Sequence, residues 1–383
     1  MNFDVSEDQR LIRDTVRELC RREFAPHAER WDREAIVPNE ALSVLAENGF
    51  LGMAIPEEWG GVGYDSRTVA LVIEEIARVS AALAIMISVH NSVGAVPVLR
   101  FGNDEQKRRY LPRLVSRELS AFSISEPGAG SDAGHLQANA VRQDGHYLLN
   151  GSKNWVTNGQ QAGIYLVFVR TDKDAGNRGI SAFIVERGAP GLVVGRAEDK
   201  MGLRGSDTVS LSFHDLKVPV ENRLGAEGDG FRIALSALDA GRIGVAAQSL
   251  GVMTAAFAEA VKYAQQRSAF GQPLAKIQAI QFKLAEMERR IHCARLLIQR
   301  AAWLKDSGQP FSREGAMAKV YASEAATWVT HQAIQVHGGY GYVKEYAVER
   351  YYRDARVMEI YEGTSEIQRL VIARSLLKDG VGA

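Results

Sequence analysis

From Asp229 onward the chain carries helical periodicity with few breakers, in runs at about 230–266 and 277–305, until Ser307-Gly308-Gln309-Pro310 interrupts it. Two further helical runs follow, at about 314–336 and 366–377. Helices this long bury an apolar stripe most readily by lying antiparallel against one another, so the C-terminal part of the chain is predicted to be a four-helix bundle.

The period is different upstream. Between about Leu119 and Val220, the segments 146–151, 164–170, 180–185 and 208–213 are rich in β-branched, aromatic and alternating apolar residues. The strands are short, the loops are glycine-rich and no helical run intervenes, which favours an antiparallel barrel or sandwich over a doubly wound sheet. Before residue 119 the helical period holds again. Ser6 and Gln9 form a capping box ahead of Leu11, Ile12, Val16, Leu19 and Cys20, and Pro26 limits that helix. Further helices are expected at 40–48, 67–78, 81–101 and 104–118, with Pro112 interrupting the last. The fold class is therefore α+β, divided into an N-terminal helical domain (1–118), a β domain (119–225) and a C-terminal helical bundle (226–383).

The 383 residues contain 46 Lys+Arg and 46 Asp+Glu, so no overall field draws the chain to nucleic acid or to an acidic membrane. Any anionic ligand needs a built site. Cys20 and Cys293 lie far apart in helical segments, which argues against disulfides and thiolate metal clusters. No histidine pair has ligand spacing, so no metal is expected. The acidic N-terminus resembles neither a secretion signal nor a transit peptide, and no apolar run is read as reaching membrane-span length. The expected compartment is the cytoplasm, or the mitochondrial matrix if a leader has been removed.

Three motifs carry chemistry. In the loop from Phe122 to Asp132, Gly128 and Gly130 let the backbone approach a ligand, while Ser125, Ser131 and free N–H groups can donate to a phosphate or a polar ring edge. An ordinary glycine-rich turn reads the same way. In the strand from Asn150 to Asn158, Trp155 and Thr157 share one face at period two, placing an indole beside a hydroxyl where a flat heteroaromatic ring can pack; Trp155 is alternatively a core aromatic. In Tyr361-Glu362-Gly363-Thr364-Ser365-Glu366, one carboxylate stands among apolar neighbours beside a glycine, where a pKa can rise until the group works as a base. Read alone, Glu362 is equally an acid at a helix start.

Together these motifs, with Gln266-Arg267-Ser268-Ala269-Phe270-Gly271 and Gln335-Val336-His337-Gly338-Gly339, resemble the acyl-CoA dehydrogenase family in order and spacing over essentially the whole chain. Segments 353–373 and 237–244 look most like its short-chain, butyryl-CoA members. The resemblance implies a helical, β and helical domain order, bound FAD, an acyl-CoA substrate, a homotetramer built as a dimer of dimers, and electron-transfer flavoprotein as acceptor. It implies that Glu362 takes the α-proton while the β-hydride passes to flavin N5, giving a trans-2-enoyl-CoA. The thioester carbonyl would accept hydrogen bonds from the Glu362 N–H and a ribityl hydroxyl.

By the same match, FAD is held by Phe122, Ile124, Ser125, Gly130, Ser131, Trp155, Thr157, Thr364 and Glu366. Arg267, Gln278, Gln335, Val336, His337, Gly338 and Gly339 would reach the FAD of a neighbouring subunit. Ser131, Asp239, Arg242 and Gly363 carry over to the acyl-CoA, although Asp239 and Arg242 at i, i+3 are also a plain helix-surface ion pair. Some relatives place the base just before the arginine of Asp-x-x-Arg. Here that position is Gly241, leaving Glu362 as the candidate.

The alternatives are a branched-chain (isobutyryl or 2-methylbutyryl) dehydrogenase, an acyl-CoA oxidase or, more distantly, a non-catalytic flavin- or nucleic-acid-binding relative. Pocket depth would depend on side chains within 85–98 and 243–253.

Overall fold

The computed structural model describes residues 5–379. Its first helices are α1 (Glu7–Leu19), α2 (Ala28–Glu34), α3 (Asn39–Glu47), α4 (Ser66–Ala77), α5 (Ala81–Val89), α6 (Val96–Phe101) and α7 (Asp104–Ser116). The expected capping box is present: Gln9 N–H donates to Ser6 Oγ at 3.1 Å and Ser6 N–H donates to Gln9 Oε1 at 3.2 Å. Pro112, expected to interrupt the last helix, lies within α7. It and Arg108, whose carbonyl loses its helical donor, are both exposed, so water can take the missing bond while Tyr110, Leu111 and Leu114 hold the helix down.

A wide π turn, His90–Ala95, joins α5 to α6. The buried His90 ring accepts from Ser120 N–H at Nδ1 (3.0 Å) and, in the tautomer this requires, donates from Nε2 to the Leu51 carbonyl (2.9 Å). Burial lowers its pKa to about 4, so this link to the first strand is made by a neutral imidazole at ordinary pH.

The sheet contains β1 (Leu119–Ser123), β2 (Asn139–Gln143), β3 (His146–Thr157), β4 (Ala162–Arg170), β5 (Ile180–Glu186), β6 (Leu192–Val194), β7 (Thr208–Pro219) and β8 (Arg223–Leu224). The strand order is β6-β7-β3-β2-β4-β5-β8, with β1 against β4. The ladders are antiparallel as expected except β1–β4 and a one-residue β2–β4 contact, which are parallel. β1 arrives directly from α7, so its partner is not the next strand in sequence. On one face of β4 and β5, Ile164, Leu166, Phe168, Ala182 and Ile184 pack against Val98, Tyr110, Leu114 and Ile233 of the helices. On the other, Tyr165, Val167, Val169, Phe183 and Val185 pack against Tyr147, Leu149, Leu211 and Phe213 of β3 and β7. Both faces of the central strands are dry.

The C-terminal helices are α8 (Gly230–Gln266), α9 (Gln278–Asp306), α10 (Ser312–His337), α11 (Val348–Arg356) and α12 (Ser365–Asp379). Helix α8 lies very close to α4 and α5. A Cβ on Gly244 would stand 2.4 Å from Ser88 Oγ, and one on Gly251 would stand 2.3 Å from the Glu74 carbonyl oxygen. Only glycine permits that approach.

The expectation about membrane-span length is corrected. Ala81–Phe101 and Gly230–Gln266 are both long and apolar enough to cross a membrane, but 83% and 72% of their apolar windows are buried within the protein. Their apolarity faces the core.

Candidate active site

Glu362 lies at the junction of α8, α10 and the segment entering α12. Its backbone is left-handed (φ 50°), and Gly363 follows at φ 92°. Two donors meet the carbonyls of this turn: Lys319 Nζ reaches Gly363 O at 2.7 Å, and Gln368 Nε2 reaches Glu362 O at 3.2 Å and Gly363 O at 2.9 Å. Thr364 Oγ accepts from Ile367 N–H at 3.3 Å, and Glu366 provides the acid of the first helical turn. The helix-start reading thus belongs to Thr364 and Glu366, leaving Glu362 to be explained otherwise.

Both carboxylate oxygens of Glu362 are buried and, among the described residues, have no hydrogen-bond partner. A Cβ on Gly241 would come within 2.0 Å of Glu362 Oε2 and 3.4 Å of Val93 Cγ1, so the absent side chain of α8 leaves the space the carboxylate occupies. Burial raises the Glu362 pKa to about 7, against the opposing pull of Lys319 and Arg242. A carboxyl in that range exchanges protons near neutrality, as a general base must.

Of the expected acyl-CoA residues, Arg242 and Gly363 gather near this carboxyl. Arg242 is buried and donates to Asp239 Oδ1, which also accepts from Ser312 Oγ at 2.9 Å. Burial lowers the Arg242 pKa, and its Nε has no partner among the described residues. The pair is therefore largely buried rather than on the helix surface. Below it, the Tyr361 hydroxyl donates to Gln248 Oε1, while Gln248 Nε2 donates to the Ala81 carbonyl at 2.8 Å.

The glycine-rich loop is open to a ligand. No atom lies within 4 Å of a Cβ built on Gly128 or Gly130, and Gly130 and Ser131 are exposed. Trp155 is 64% exposed at a positive φ of 61°, where β3 shifts register against β7 between Lys153 and Val156. This bulge turns the indole outward beside half-buried Thr157, so the core reading of Trp155 does not hold. Phe122, by contrast, packs on Phe168 with centroids 4.8 Å apart, and Ile124 is buried. These two support the loop from beneath.

The loop is anchored by a buried ion pair. Lys153 Nζ donates to Glu126 Oε1 (2.7 Å) and to the Ile124 carbonyl (3.1 Å), and Glu126 also accepts from the N–H groups of Gln137 (2.6 Å) and Ala138 (3.0 Å). Desolvation lowers the Lys153 pKa to about 8 despite that carboxylate.

The remaining expected residues lie elsewhere. Arg267, Gln335, Val336, His337, Gly338 and Gly339 line one cavity of about 780 Å³, and Gln278 begins α9 nearby, exposed. In this cavity His337 stacks on Tyr263 at 4.2 Å and Arg267 lies over the Tyr340 ring at 5.8 Å. At about 1.5 Å per residue along α8, Gly241 and Arg267 are separated by roughly 39 Å. The cavity does not join the Glu362 site of the same chain.

Sequence reasoning gave no role to Lys153, Glu126, Gln248, Lys319 or Gln368. For Lys319 a signal exists: it falls on the buried stripe Gly315, Ala318, Lys319, Ala322 of α10, where an uncompensated lysine is anomalous.

The fold is a helix–sheet–helix architecture with a buried carboxyl at its C-terminal bundle and an open glycine-rich loop on its sheet. Three family models match in succession: the acyl-CoA dehydrogenase N-terminal domain over residues 6–118, the middle domain over 121–216 and the C-terminal domain over 228–377. The chain belongs to the acyl-CoA dehydrogenase family, FAD-dependent enzymes acting on CH–CH bonds. It is 48% identical to the mitochondrial short-chain specific acyl-CoA dehydrogenase of Mus musculus over 378 residues, 98% of this chain and 92% of that one. Butyryl-CoA dehydrogenase from Megasphaera elsdenii superposes with a TM-score of 0.97 at 45% identity, covering 98% of this chain and 100% of the other. An FAD complex of PigA superposes with a TM-score of 0.95 at 30% identity, over 99% and 100% of the two chains.

Proposed function

We propose that the protein oxidises a short-chain acyl-CoA to its trans-2-enoyl-CoA, with Glu362 as the α-proton base. The carrying observation is the buried, unpartnered carboxylate of Glu362, raised to about 7 and fitted into the space over Gly241. An α-proton of a thioester is too weakly acidic for an ordinary carboxylate, so a base needs both a raised pKa and help for the developing enolate charge. The Glu362 N–H is the chain's donor to the thioester carbonyl. Bound FAD supplies the acceptor for the β-hydride.

Ser125, Gly130, Ser131, Trp155, Thr157, Thr364 and Glu366 would hold the cofactor, with Phe122 and Ile124 packing beneath that loop. The open loop and outward indole fit a flat ring and its polar chain. Ser131, Asp239, Arg242 and Gly363 receive the acyl-CoA. By the family likeness, Arg267, Gln278 and Gln335 to Gly339 serve the cofactor of a second subunit, a reading supported by the roughly 39 Å along α8 between Gly241 and Arg267. The assembly is a homotetramer, and an electron-transfer flavoprotein is the electron acceptor. The short-chain assignment is supported by the likeness to the butyryl-CoA and short-chain enzymes.

Anaerobic addition of butyryl-, isobutyryl- and octanoyl-CoA to the purified yellow protein tests this. Butyryl-CoA is expected to bleach the flavin band fastest. Equal or faster bleaching by isobutyryl-CoA would reassign the substrate to a branched chain, and absence of bleaching with all three would end the reading.

A further inference from the structure

Lys319 projects from α10 into the interior and is fully buried, yet among the described residues it forms no ion pair. Among the described residues its one hydrogen bond is to the carbonyl oxygen of Gly363, the residue after the candidate base. A buried ammonium without a carboxylate partner is costly to keep, and hydrophobic isosteres of lysine would pack on the same stripe more cheaply. Gln368 is equally buried and gives the same turn two further hydrogen bonds, to Glu362 O and Gly363 O. The turn they grip is the two-residue left-handed segment at φ 50° and 92°. Such a conformation is strained for glutamate and persists only where its surroundings hold it.

We infer that Lys319 and Gln368 are the positioning residues of the base: together they clamp the left-handed Glu362-Gly363 turn, and the Lys319 charge sets how readily Glu362 ionises. This inference rests on the assignment of Glu362 as the base. The division of labour follows from chemistry. Both residues fix the backbone and hence the direction of the Glu362 N–H and carboxylate, whereas only Lys319 contributes charge. The ionisable and charged groups that act on Glu362 are Lys319 on α10, Arg242 on α8 and Tyr361 on its own segment; Glu324 and Glu359 act in turn on Lys319, and Asp239 on Arg242. Arg242 is paired with Asp239 yet still pulls on Glu362. Lys319 forms no ion pair among the described residues, and its pull on Glu362 is the larger of the two.

The test is an infrared titration of the Glu362 carboxyl in the FAD-loaded enzyme, its band identified by its loss in Glu362→Gln, alongside anaerobic bleaching by butyryl-CoA. Lys319→Met is expected to move the titration midpoint upward by about one pH unit or more, as loss of a nearby positive charge should. Lys319→Gln, which can keep a donor to Gly363 O, is expected to show the same shift and answers the question if the Met variant fails to fold. Gln368→Met is expected to slow bleaching while leaving the midpoint in place. A wild-type midpoint in the folded, FAD-loaded lysine variants would overturn the role of Lys319. Unchanged bleaching in Gln368→Met would overturn that of Gln368. Normal bleaching by Glu362→Gln would instead remove the base assignment, an outcome distinct from both.

Discussion

The carboxylate of Glu362 and the α-carbon of Gly241 share one space: a methyl group on Gly241 would lie 2.0 Å from Glu362 Oε2. No rotamer of a real side chain there leaves that oxygen undisturbed. Gly241→Ala should therefore displace the carboxylate while the glycine-rich loop of the β domain, proposed to hold FAD, stays as it is. The expected result is at least a tenfold slower bleaching by butyryl-CoA with cofactor content unchanged, since a small misplacement of a reacting group costs rate steeply. Stopped-flow absorbance read beside bound-flavin content separates the two.

A second prediction concerns pH. As the proposed base, Glu362 would work only when ionised, and burial raises its pKa to about 7. In kcat/KM, activity should be present above that value and fall tenfold per pH unit below it. Stability runs the other way. The folded-state pKa lies above the usual 4.5, so ionisation opposes folding at higher pH. Glu362→Gln should gain stability on the order of 3 kcal/mol above pH 7, vanishing toward pH 4.5. Denaturant midpoints of the two proteins at pH 5 and pH 8 check the sign.

The Lys153–Glu126 pair predicts a different failure. In Lys153→Met the Glu126 carboxylate keeps its two backbone donors but loses its counter-charge inside the protein. Breaking a buried pair costs about 3–5 kcal/mol. FAD retention on gel filtration should drop and the thermal midpoint should fall with it. A variant that retains cofactor and stability would show that the pair does not hold the loop.

Arg267 should behave in the opposite manner. It is exposed at the cavity rim, so Arg267→Met should leave the stability of the chain within about 0.5 kcal/mol. Its loss should weaken FAD binding by tenfold or more, the worth of a charge-assisted hydrogen bond. Equilibrium dialysis against FAD measures this, and wild-type affinity would detach Arg267 from the cofactor.

Much of this organisation was legible from periodicity. The long helix at 230–266 coincides with α8, and the three-part change of period is present in the structure. What escaped has physical causes. Helices α2 and α11 are short and largely charged, with only Ala28 and Trp31 buried in one and Val348, Tyr351, Asp354 and Ala355 in the other, too few to set a period. β1 pairs with a strand some forty residues away, and no local pattern encodes a parallel partner. The bulge at Trp155 inserts a residue that plain alternation does not foresee, and this insertion exposes the indole. At the site, motif order pointed to Glu362, but the lysine and glutamine gripping its turn are distant or unremarkable in sequence. Only the fold brings Lys319 to Gly363.

The glycines at 241, 244 and 251 leave the helix that carries them no slack toward its neighbours. Each meets something different: a carboxylate, a serine hydroxyl and a backbone carbonyl. A mutation that enlarges any of them must push α8 away from the element it touches, so these three contacts are closed to gradual change. Elsewhere α8 meets its neighbours through side chains such as Ile243, Leu250 and Met253, which can be trimmed one carbon at a time. In an evolving lineage, sequence drift along this helix would collect at those positions and pass the glycines by.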